Sequence, residues 1–250
     1  MNLHSVNDTA AFLLGDSIEN ICSTIKRDYR ILHVEPVFRN NLVSAFLNRK
    51  QQIHDELLSM PRGSLRASVS RTAIPRNSRE DTKEGLAEYL SRPRVTFHGA
   101  PRRVIGSIVR YGFLVPGSRI GNSSQTLDVR CGSTYGRGIY SSPDATFASA
   151  YLDYESGMIQ LSQPSEVPGM RLIVCATLMG RALTVSRDGA WRVEDVLDNN
   201  AHSHTSEDGL QYIVFASSQI IPCYVLHLDY GADSAKVCCS KVKSSSPQYL

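Results

Sequence analysis

The pattern of apolar and polar positions predicts many strands with a few helices between them. Runs of β-branched and aromatic residues are typical of strands. They lie at residues 29–35, 94–98, 139–141, 171–178, 211–215 and 222–228. Because strands outnumber helices and do not alternate with them regularly, the predicted fold class is α+β rather than a doubly wound sheet.

Three helices are predicted where apolar residues recur every three or four positions. The first opens at Pro36 and reaches about Leu58. The second covers residues 101–111, and Gly112 after it suits a C-terminal cap. A shorter helix is predicted near residues 144–152.

A basic segment interrupts the apolar pattern at residues 60–80. Arginine, serine, proline and glycine dominate it, so we predict a basic Ser/Arg-rich loop, placed at 60–90 inside one domain that spans 29–232. A solvated linker is one interpretation of this loop, and an anion-binding surface is the other. Residues 1–28 are predicted to form an N-terminal extension, and residues 233–250 a mobile Lys/Ser-rich tail.

Composition and charge narrow the class of protein. The chain has 250 residues, and its net charge of +3 is too small to imply a nucleic-acid partner. No apolar run approaches the roughly 20 residues of a membrane helix and no secretory signal is seen, so we expect an intracellular protein without a membrane partner. The cysteines form no CxxC pair, which argues against a zinc site and predicts free thiols.

Common nucleotide and hydrolase motifs do not occur in the chain. There is no GxGxxG after a strand, no GxxxxGK, no HExxH and no GxSxG. A Rossmann domain, a phosphate-loop ATPase, a zinc peptidase and an α/β-hydrolase therefore lack support.

Two short motifs stand out at the predicted strands. His98 and Gly99 follow a buried strand, where a glycine lets a ligand approach the backbone and a histidine can donate to a hydroxyl. A satisfied structural histidine is the alternative. GRGIY at 136–140 is a glycine-rich turn entering a strand, and Tyr151 follows Tyr140 on a short helix. A plain turn and a core aromatic are the alternatives there.

The order of these motifs resembles the catalytic domain of the poly(ADP-ribose) polymerase superfamily. VTFHGA is followed by a helix ending in VRYGF, then by YGRGIYSSPDATFASAY and finally by QYIVFASSQIIPCYVLHL. LHVEPVFRNNLVSAFLNRKQQI is also similar to the family's opening strand and helix. The resemblance implies the diphtheria-toxin-like ADP-ribosyltransferase fold, a split mixed β-sheet flanked by helices, with NAD in the cleft between the two halves.

The resemblance also implies roles for individual residues. His98 would hydrogen-bond a ribose hydroxyl of NAD, Gly99 would offer its backbone to the nicotinamide carboxamide, and Tyr151 would stack on the nicotinamide ring. Tyr140 would line the pocket and form the catalytic set together with His98 and Gln211. NAD would be a substrate, and no metal would be required.

Three positions depart from the family's pattern. Gln211 stands where polymerising members carry a glutamate, and an amide cannot act as a carboxylate base, which argues against chain elongation. Ala100 and Ala148 replace residues that carry hydroxyl groups in many members. Ser149 is the candidate replacement as a carboxamide contact, and Arg119, in the loop that would cover the donor, is a candidate for a pyrophosphate contact.

A polar loop is predicted at residues 186–210. Its His202 and His204 are expected to be solvated rather than to bind a metal. Glu207 or Asp208 is an alternative source of the carboxylate that the family's pattern requires.

The expected function is mono-ADP-ribosylation of a protein acceptor whose identity the sequence does not give. Two alternatives stay open. A pseudoenzyme would bind NAD or a partner without turnover, and an NAD glycohydrolase would use water as the acceptor. Nucleic acid is not supported as a partner, and the choice between nucleus and cytoplasm is open.

Overall fold

The fold is α+β, with two four-stranded sheets and helices packed around them. The structure is a computed structural model that describes residues 3–25, 29–118, 134–152, 170–187 and 200–230. Its helices are α1 (Leu3–Leu14), α2 (Ile18–Ser23), α3 (Asn40–Ser59), α4 (Arg62–Ala67), α5 (Lys83–Ser91), α6 (Arg102–Tyr111) and α7 (Ala145–Ser149). Its strands are β1 (Tyr29–Pro36), β2 (Arg94–Gly99), β3 (Ile139–Ser141), β4 (Met170–Thr177), β5 (Ala182–Val185), β6 (Ser203–Ser206), β7 (Tyr212–Val214) and β8 (Ile220–Tyr230).

The first sheet has the order β1-β8-β4-β2, and every neighbouring pair is antiparallel. Side chains alternate between its two faces along each strand. Leu172 and Val174 of β4 face a core formed with α1, α3 and α5, whereas Ile173 and Cys175 face a core formed with α6 and the second sheet. The first sheet is therefore the central layer, which explains why β4 carries a continuous apolar run.

The second sheet has the order β3-β7-β6-β5 and is mixed, because β5 and β6 are parallel while the other pairs are antiparallel. Ile139 of β3 and Val214 of β7 pack against the first sheet. The two sheets are joined by one isolated pair between Phe97 and Ser142. Beyond this pair no backbone hydrogen bond joins β2 to β3 within the described residues, and the unpaired space beside residues 98–99 of β2 is called here the gap.

The N-terminal helices belong to the same core as the first sheet. Leu13 and Leu14 of α1 and Ile21 of α2 are buried in the cluster that also holds the inward residues of β4 and β8. The part of the predicted extension that the structure describes thus packs on the domain. Residues 233–250, the predicted tail, lie outside the described residues.

The prediction of a loop at 60–90 is wrong for residues 62–67 and 83–91, which form α4 and α5, whereas residues 68–82 between them form turns and bends. Leu65, Val69 and Ile74 are buried in the core beside the first sheet. The segment has few apolar residues, and their spacing did not lead to the prediction of a helix. Its backbone is held instead by the buried carboxylate of Asp81.

The prediction of a polar loop at 186–210 is also wrong for β6, and its two histidines are buried rather than solvated. His204 donates from Nδ1 to the carbonyl oxygen of Tyr135 at 2.6 Å. His202 accepts at Nδ1 from the backbone N–H of Arg181 and donates from Nε2 to Glu56, each at 3.0 Å. These partners satisfy both ring nitrogens of His202 and Nδ1 of His204, which would otherwise stay in water.

Candidate functional site

The candidate site lies at the end of β2, where β2 and β3 part. Phe97 exchanges two backbone hydrogen bonds with Ser142, of 2.7 and 2.9 Å. Residues two apart in a strand direct their N–H and C=O groups to the same side, so Gly99 directs both groups away from β4 and into the gap. Neither group has a backbone partner in the part of the chain that the structure describes. Gly99 therefore presents one donor and one acceptor, which is what a primary carboxamide requires.

Helix α7 crosses close to the Cα atom of Gly99. A Cβ atom added there would overlap the carbonyl oxygen of Ala148 and would lie 3.2 Å from Cβ of Tyr151. The helix is fixed by its N-cap, because the carboxylate of Asp144 accepts from the backbone N–H of Phe147 at 2.9 Å. Packing against α7 thus requires a glycine at this position, independently of any ligand.

Tyr151 places a partly exposed aromatic ring beside Gly99. The residue is 45% exposed, and the other exposed large apolar side chains among the described residues are Phe12 and Tyr111. Its ring lies 5.9 Å from the ring of Phe147 at an angle of 52°. The structure thus brings together Gly99 and Tyr151, as the sequence predicted, and leaves the tyrosine ring free to stack on a planar ligand.

His98 is fixed in place by two neighbours. Its Nδ1 donates to the carbonyl oxygen of Tyr140 at 2.7 Å, and its ring meets the buried ring of Phe113 edge-on at 4.9 Å. Sequence reasoning did not identify Phe113 as a contact of the histidine, although the glycine and phenylalanine after α6 belong to the motif order. His98 and Tyr140 are brought together, as predicted.

The protonation state of His98 follows from these contacts. Burial lowers the pKa of His98, and the hydrogen bond to the Tyr140 carbonyl opposes this shift without cancelling it. The ring is therefore neutral at neutral pH, with its proton on Nδ1. Nε2 has no hydrogen-bond partner within the described ranges, and without a proton it can only accept. The sequence suggested that His98 donates to a hydroxyl; in this tautomer it would accept from a hydroxyl instead.

Tyr140 uses its hydroxyl to hold the glycine-rich turn. The hydroxyl donates to the carbonyl oxygen of Gly136 at 2.9 Å and accepts from the N–H of Tyr135 at 3.1 Å, while burial raises the pKa of Tyr140. A Cβ atom on Gly138 would lie 2.5 Å from the side chain of Ile213. The second glycine of GRGIY is therefore required by close packing on β7. The hydroxyl of Tyr140 is engaged by the turn, so only its ring and its backbone carbonyl can contribute to the candidate site.

Gln211 precedes β7 and is held through its backbone. Its N–H donates to Oγ of Ser206 at 2.9 Å, and its carbonyl accepts from the N–H of Ser206 at 3.0 Å. Since Tyr140 opposes Ile213, Gln211 lies on the same face of the second sheet as Tyr140, about 7–8 Å away as a diagonal neighbour. Its side-chain amide has no hydrogen-bond partner among the described residues.

Of the two acidic neighbours of Gln211, Asp208 is engaged in its own turn. Glu207 and Asp208 are both exposed. The carboxylate of Asp208 accepts from the hydroxyl of Ser206 and from the N–H of Leu210, and these bonds lower the pKa of Asp208. Asp208 therefore builds the turn before β7, and the alternative that it supplies a carboxylate to the site loses its support.

Ser149 does not face the gap and its predicted contact to a carboxamide is wrong. The residue is buried, and its hydroxyl donates to the carbonyl oxygen of Thr146 at 2.7 Å. The hydroxyl of Tyr29 then donates to Ser149 at 2.7 Å, which ties α7 to β1. The other predicted contact, Arg119, lies outside the described residues.

Another concavity, of about 340 Å³, lies between α3 and α5. It is lined by Leu47, Lys50, Gln51, His54, Glu88 and Ser91. Ser91 and Glu88 both approach Nδ1 of His54, at 3.2 and 3.9 Å, whereas a catalytic relay needs both ring nitrogens. Ser91 is also fully buried, so this concavity lacks an accessible nucleophile.

Comparison with known proteins leaves the family of the chain open. No protein-family model matches it, and no curated protein does so either. Within the described ranges, no group of three or more His, Cys, Asp or Glu residues is placed to hold a metal. No helix in those ranges is both long and apolar enough to cross a membrane.

Proposed function

We propose that the chain binds NAD and transfers its ADP-ribose to a protein acceptor. The observation that carries this proposal is that the N–H and C=O of Gly99 have no hydrogen-bond partner among the described residues and lie beside the partly exposed ring of Tyr151. A carboxamide would pair with Gly99 while the planar ring that bears it stacks on Tyr151. Nicotinamide carries a carboxamide on a planar ring, so this one group can meet both residues.

His98 supports the same ligand from the neighbouring position. Its neutral Nε2 accepts from a hydroxyl, and the ribose of NAD carries hydroxyls next to the nicotinamide. The split between the two sheets and the close crossing of α7 over Gly99 support the ADP-ribosyltransferase fold that the motif order implies. An amide, an aromatic ring and a sugar are thus bound by three neighbouring residues.

The chemistry of the transfer fits a site built for positioning. The bond between the nicotinamide nitrogen and ribose C1′ breaks, and nicotinamide leaves with the bonding electron pair, which neutralises its ring. C1′ gains oxocarbenium character, as in glycoside cleavage. A nucleophilic oxygen or nitrogen of the acceptor then bonds to C1′ and loses its proton to solvent. The protein holds the donor, excludes water and stabilises the charge.

Gln211 limits the reaction to a single transfer. Its amide can donate to or accept from a ribose hydroxyl, which positions the donor. It cannot remove a proton from the hydroxyl of an ADP-ribose already attached, as a carboxylate would. Since Asp208 is occupied in its own turn, we assign mono-ADP-ribosylation rather than chain elongation.

The test follows label from NAD in the purified wild type and two histidine variants. We expect His98→Ala to lose both the label on protein and the release of nicotinamide. His54→Ala removes a partly buried histidine from the distant α3–α5 concavity, and this variant should keep both signals. Equal activity of His98→Ala and the wild type would show that the assigned site is wrong.

Two further outcomes select the alternative functions. Nicotinamide release without label on protein would indicate an NAD glycohydrolase. Neither signal, with a melting temperature that rises on adding NAD, would indicate a pseudoenzyme, because a ligand that binds the native state stabilises it without turnover. The absence of a carboxylate at Gln211 is the observation that favours this second alternative.

A further inference from the structure

Basic residues are concentrated in residues 62–83, which form one of two basic segments; the other, residues 92–119, has six arginines and no acidic residue. Residues 62–83 contain six basic and two acidic residues and so carry a charge of +4, whereas the whole chain carries +3. The rest of the chain therefore has a small net negative charge. Charge concentrated in this way creates a local field that a partner of opposite charge can detect.

The buried carboxylate of Asp81 organises this segment from inside. Asp81 is 8% exposed. It pairs with Arg62 at 2.9 Å and with Arg66 at 3.3 Å, and it accepts from the N–H of Asn77 at 3.0 Å. Arg66 also donates to the carbonyl oxygen of Ile74 at 2.9 Å. Two of the arginines are thus used within the fold, and the backbone between them is held in one conformation.

Three successive turns direct the other arginines outward. Backbone hydrogen bonds of 3.1, 3.2 and 3.0 Å close the turns at 70–74, 75–78 and 78–81. Arg71, Arg76 and Arg79 occupy the second position of these turns, in that order. Val69 and Ile74 are buried on the inner side, so the turn tips face away from the core.

These three residues, called here the arginine surface, have no partners of their own. Arg71, Arg76 and Arg79 are all exposed, and none makes a hydrogen bond or an ion pair within the described part of the chain. A guanidinium binds a carboxylate through two parallel N–H donors. Three exposed guanidinium groups on successive turns, without partners among the described residues, are therefore suited to several carboxylates in succession.

We propose that the arginine surface docks an acidic segment of the acceptor protein. The term acceptor rests on the proposed transferase function, whereas the docking itself does not. A polypeptide fits better than nucleic acid because residues 62–83 contain no aromatic residue for stacking on bases.

The test measures binding of a short fluorescein-labelled oligoglutamate peptide by anisotropy, without NAD. We expect the triple variant R71Q/R76Q/R79Q to bind about tenfold more weakly or worse, because charge-assisted contacts are lost. The control R39Q/R110Q/R187Q removes the same number of charges from dispersed exposed sites and should change affinity by less than about threefold. If the triple variant does not fold, the single variant Arg76→Gln should still bind more weakly than Arg39→Gln.

Three results would overturn the proposal. One is equal weakening in both triple variants, which would reflect net charge alone. Another is no peptide binding by the wild type at low salt. The third is tighter binding of a single-stranded oligonucleotide that the R71Q/R76Q/R79Q variant loses, which would assign the surface to nucleic acid. Peptide binding that persists in a chain without any NAD turnover would refute the transferase function and leave the docking surface standing.

Discussion

The end of β2 and the start of β7 form the two halves of the candidate site, and they are held in different ways. At the end of β2, His98 is fixed by a carbonyl and a ring, and Gly99 is pressed against α7. At the start of β7, Gln211 is fixed through its backbone while its side chain has no partner among the described residues. The half proposed to bind the donor is therefore preorganised by packing, whereas the half that contains Gln211 depends on one side chain without a partner among the described residues.

The largest effect is expected from Gly99→Ala, which disrupts the packing of Gly99 against α7. The new Cβ would overlap a backbone oxygen of Ala148, which cannot move without moving α7. Overpacking of this kind costs about 1–3 kcal/mol, and more where backbone must shift. We expect a lower free energy of unfolding in urea and no stabilisation by NAD, because α7 carries Tyr151.

Gly106→Ala is the matched control for this substitution. Gly106 is exposed in the middle of α6, and a Cβ atom there would meet nothing within 4 Å. Alanine is favoured over glycine inside a helix by about 0.5–1 kcal/mol, so this variant should gain stability and keep NAD binding. Wild-type stability and NAD binding in Gly99→Ala would contradict the view that packing shapes this half.

Gln211→Glu tests the other half and should have a smaller effect in the opposite direction. The backbone contacts to Ser206 do not involve the side chain, so the carboxylate would take the place of the amide. We expect nicotinamide release to rise by about tenfold, a modest part of what a placed general base can supply. Short chains of ADP-ribose on the acceptor, resolved on a gel, would accompany this rise.

The conservative variant Gln211→Asn controls for loss of position. It keeps the amide but shortens the side chain, so turnover should fall or stay the same. Unchanged turnover in Gln211→Glu together with unchanged NAD binding would show that this strand end does not take part in the reaction.

A change of pH should weaken the packed half through His98. Because burial lowers the pKa of His98, the unfolded chain takes up a proton below about pH 6.5 while the folded chain does not, so stability falls as pH drops through this range. Burial lowers the pKa of His202 and His227 as well, and all three shifts act in the same direction. Melting temperature against pH should therefore have a shallower slope in His98→Asn than in the wild type.

NAD affinity should respond to pH at a lower value than stability does. Nε2 of His98 stops accepting when the folded ring itself takes up a proton, which happens below the ordinary histidine pKa. A binding curve that loses affinity above about pH 6.5 would show that another group governs the donor site.

The elements of the first sheet could be predicted from the sequence because their cores are made of apolar side chains. The run at 171–178 corresponds to β4 at Met170–Thr177, and the strand at 29–35 corresponds to β1 at Tyr29–Pro36. His98 and Gly99 could be placed at the end of β2 for the same reason, since the strand before them is apolar. Apolar periodicity is local information, and it is present in the sequence.

Buried polar residues could not be predicted because their partners are distant in the chain. His202 finds Glu56, which is 146 positions away, and Asp81 finds two arginines on α4. The same limitation applies to the proton of His98, which the carbonyl of Tyr140 places on Nδ1. A polar side chain is buried only when the tertiary fold supplies a partner, so sequence pattern assigns it to solvent.

The smallest effect is expected from Ser149→Ala. This variant tests whether Ser149 only stabilises α7 or also contacts the ligand. Loss of the bond to Tyr29 should cost about 1 kcal/mol of unfolding free energy and leave NAD affinity unchanged. Tyr29→Phe removes the same bond from the other side, and the double variant should lose less than the sum of the two single losses because the residues share one interaction. Weaker NAD binding by Ser149→Ala at unchanged stability would instead show that this hydroxyl contributes to the proposed donor site.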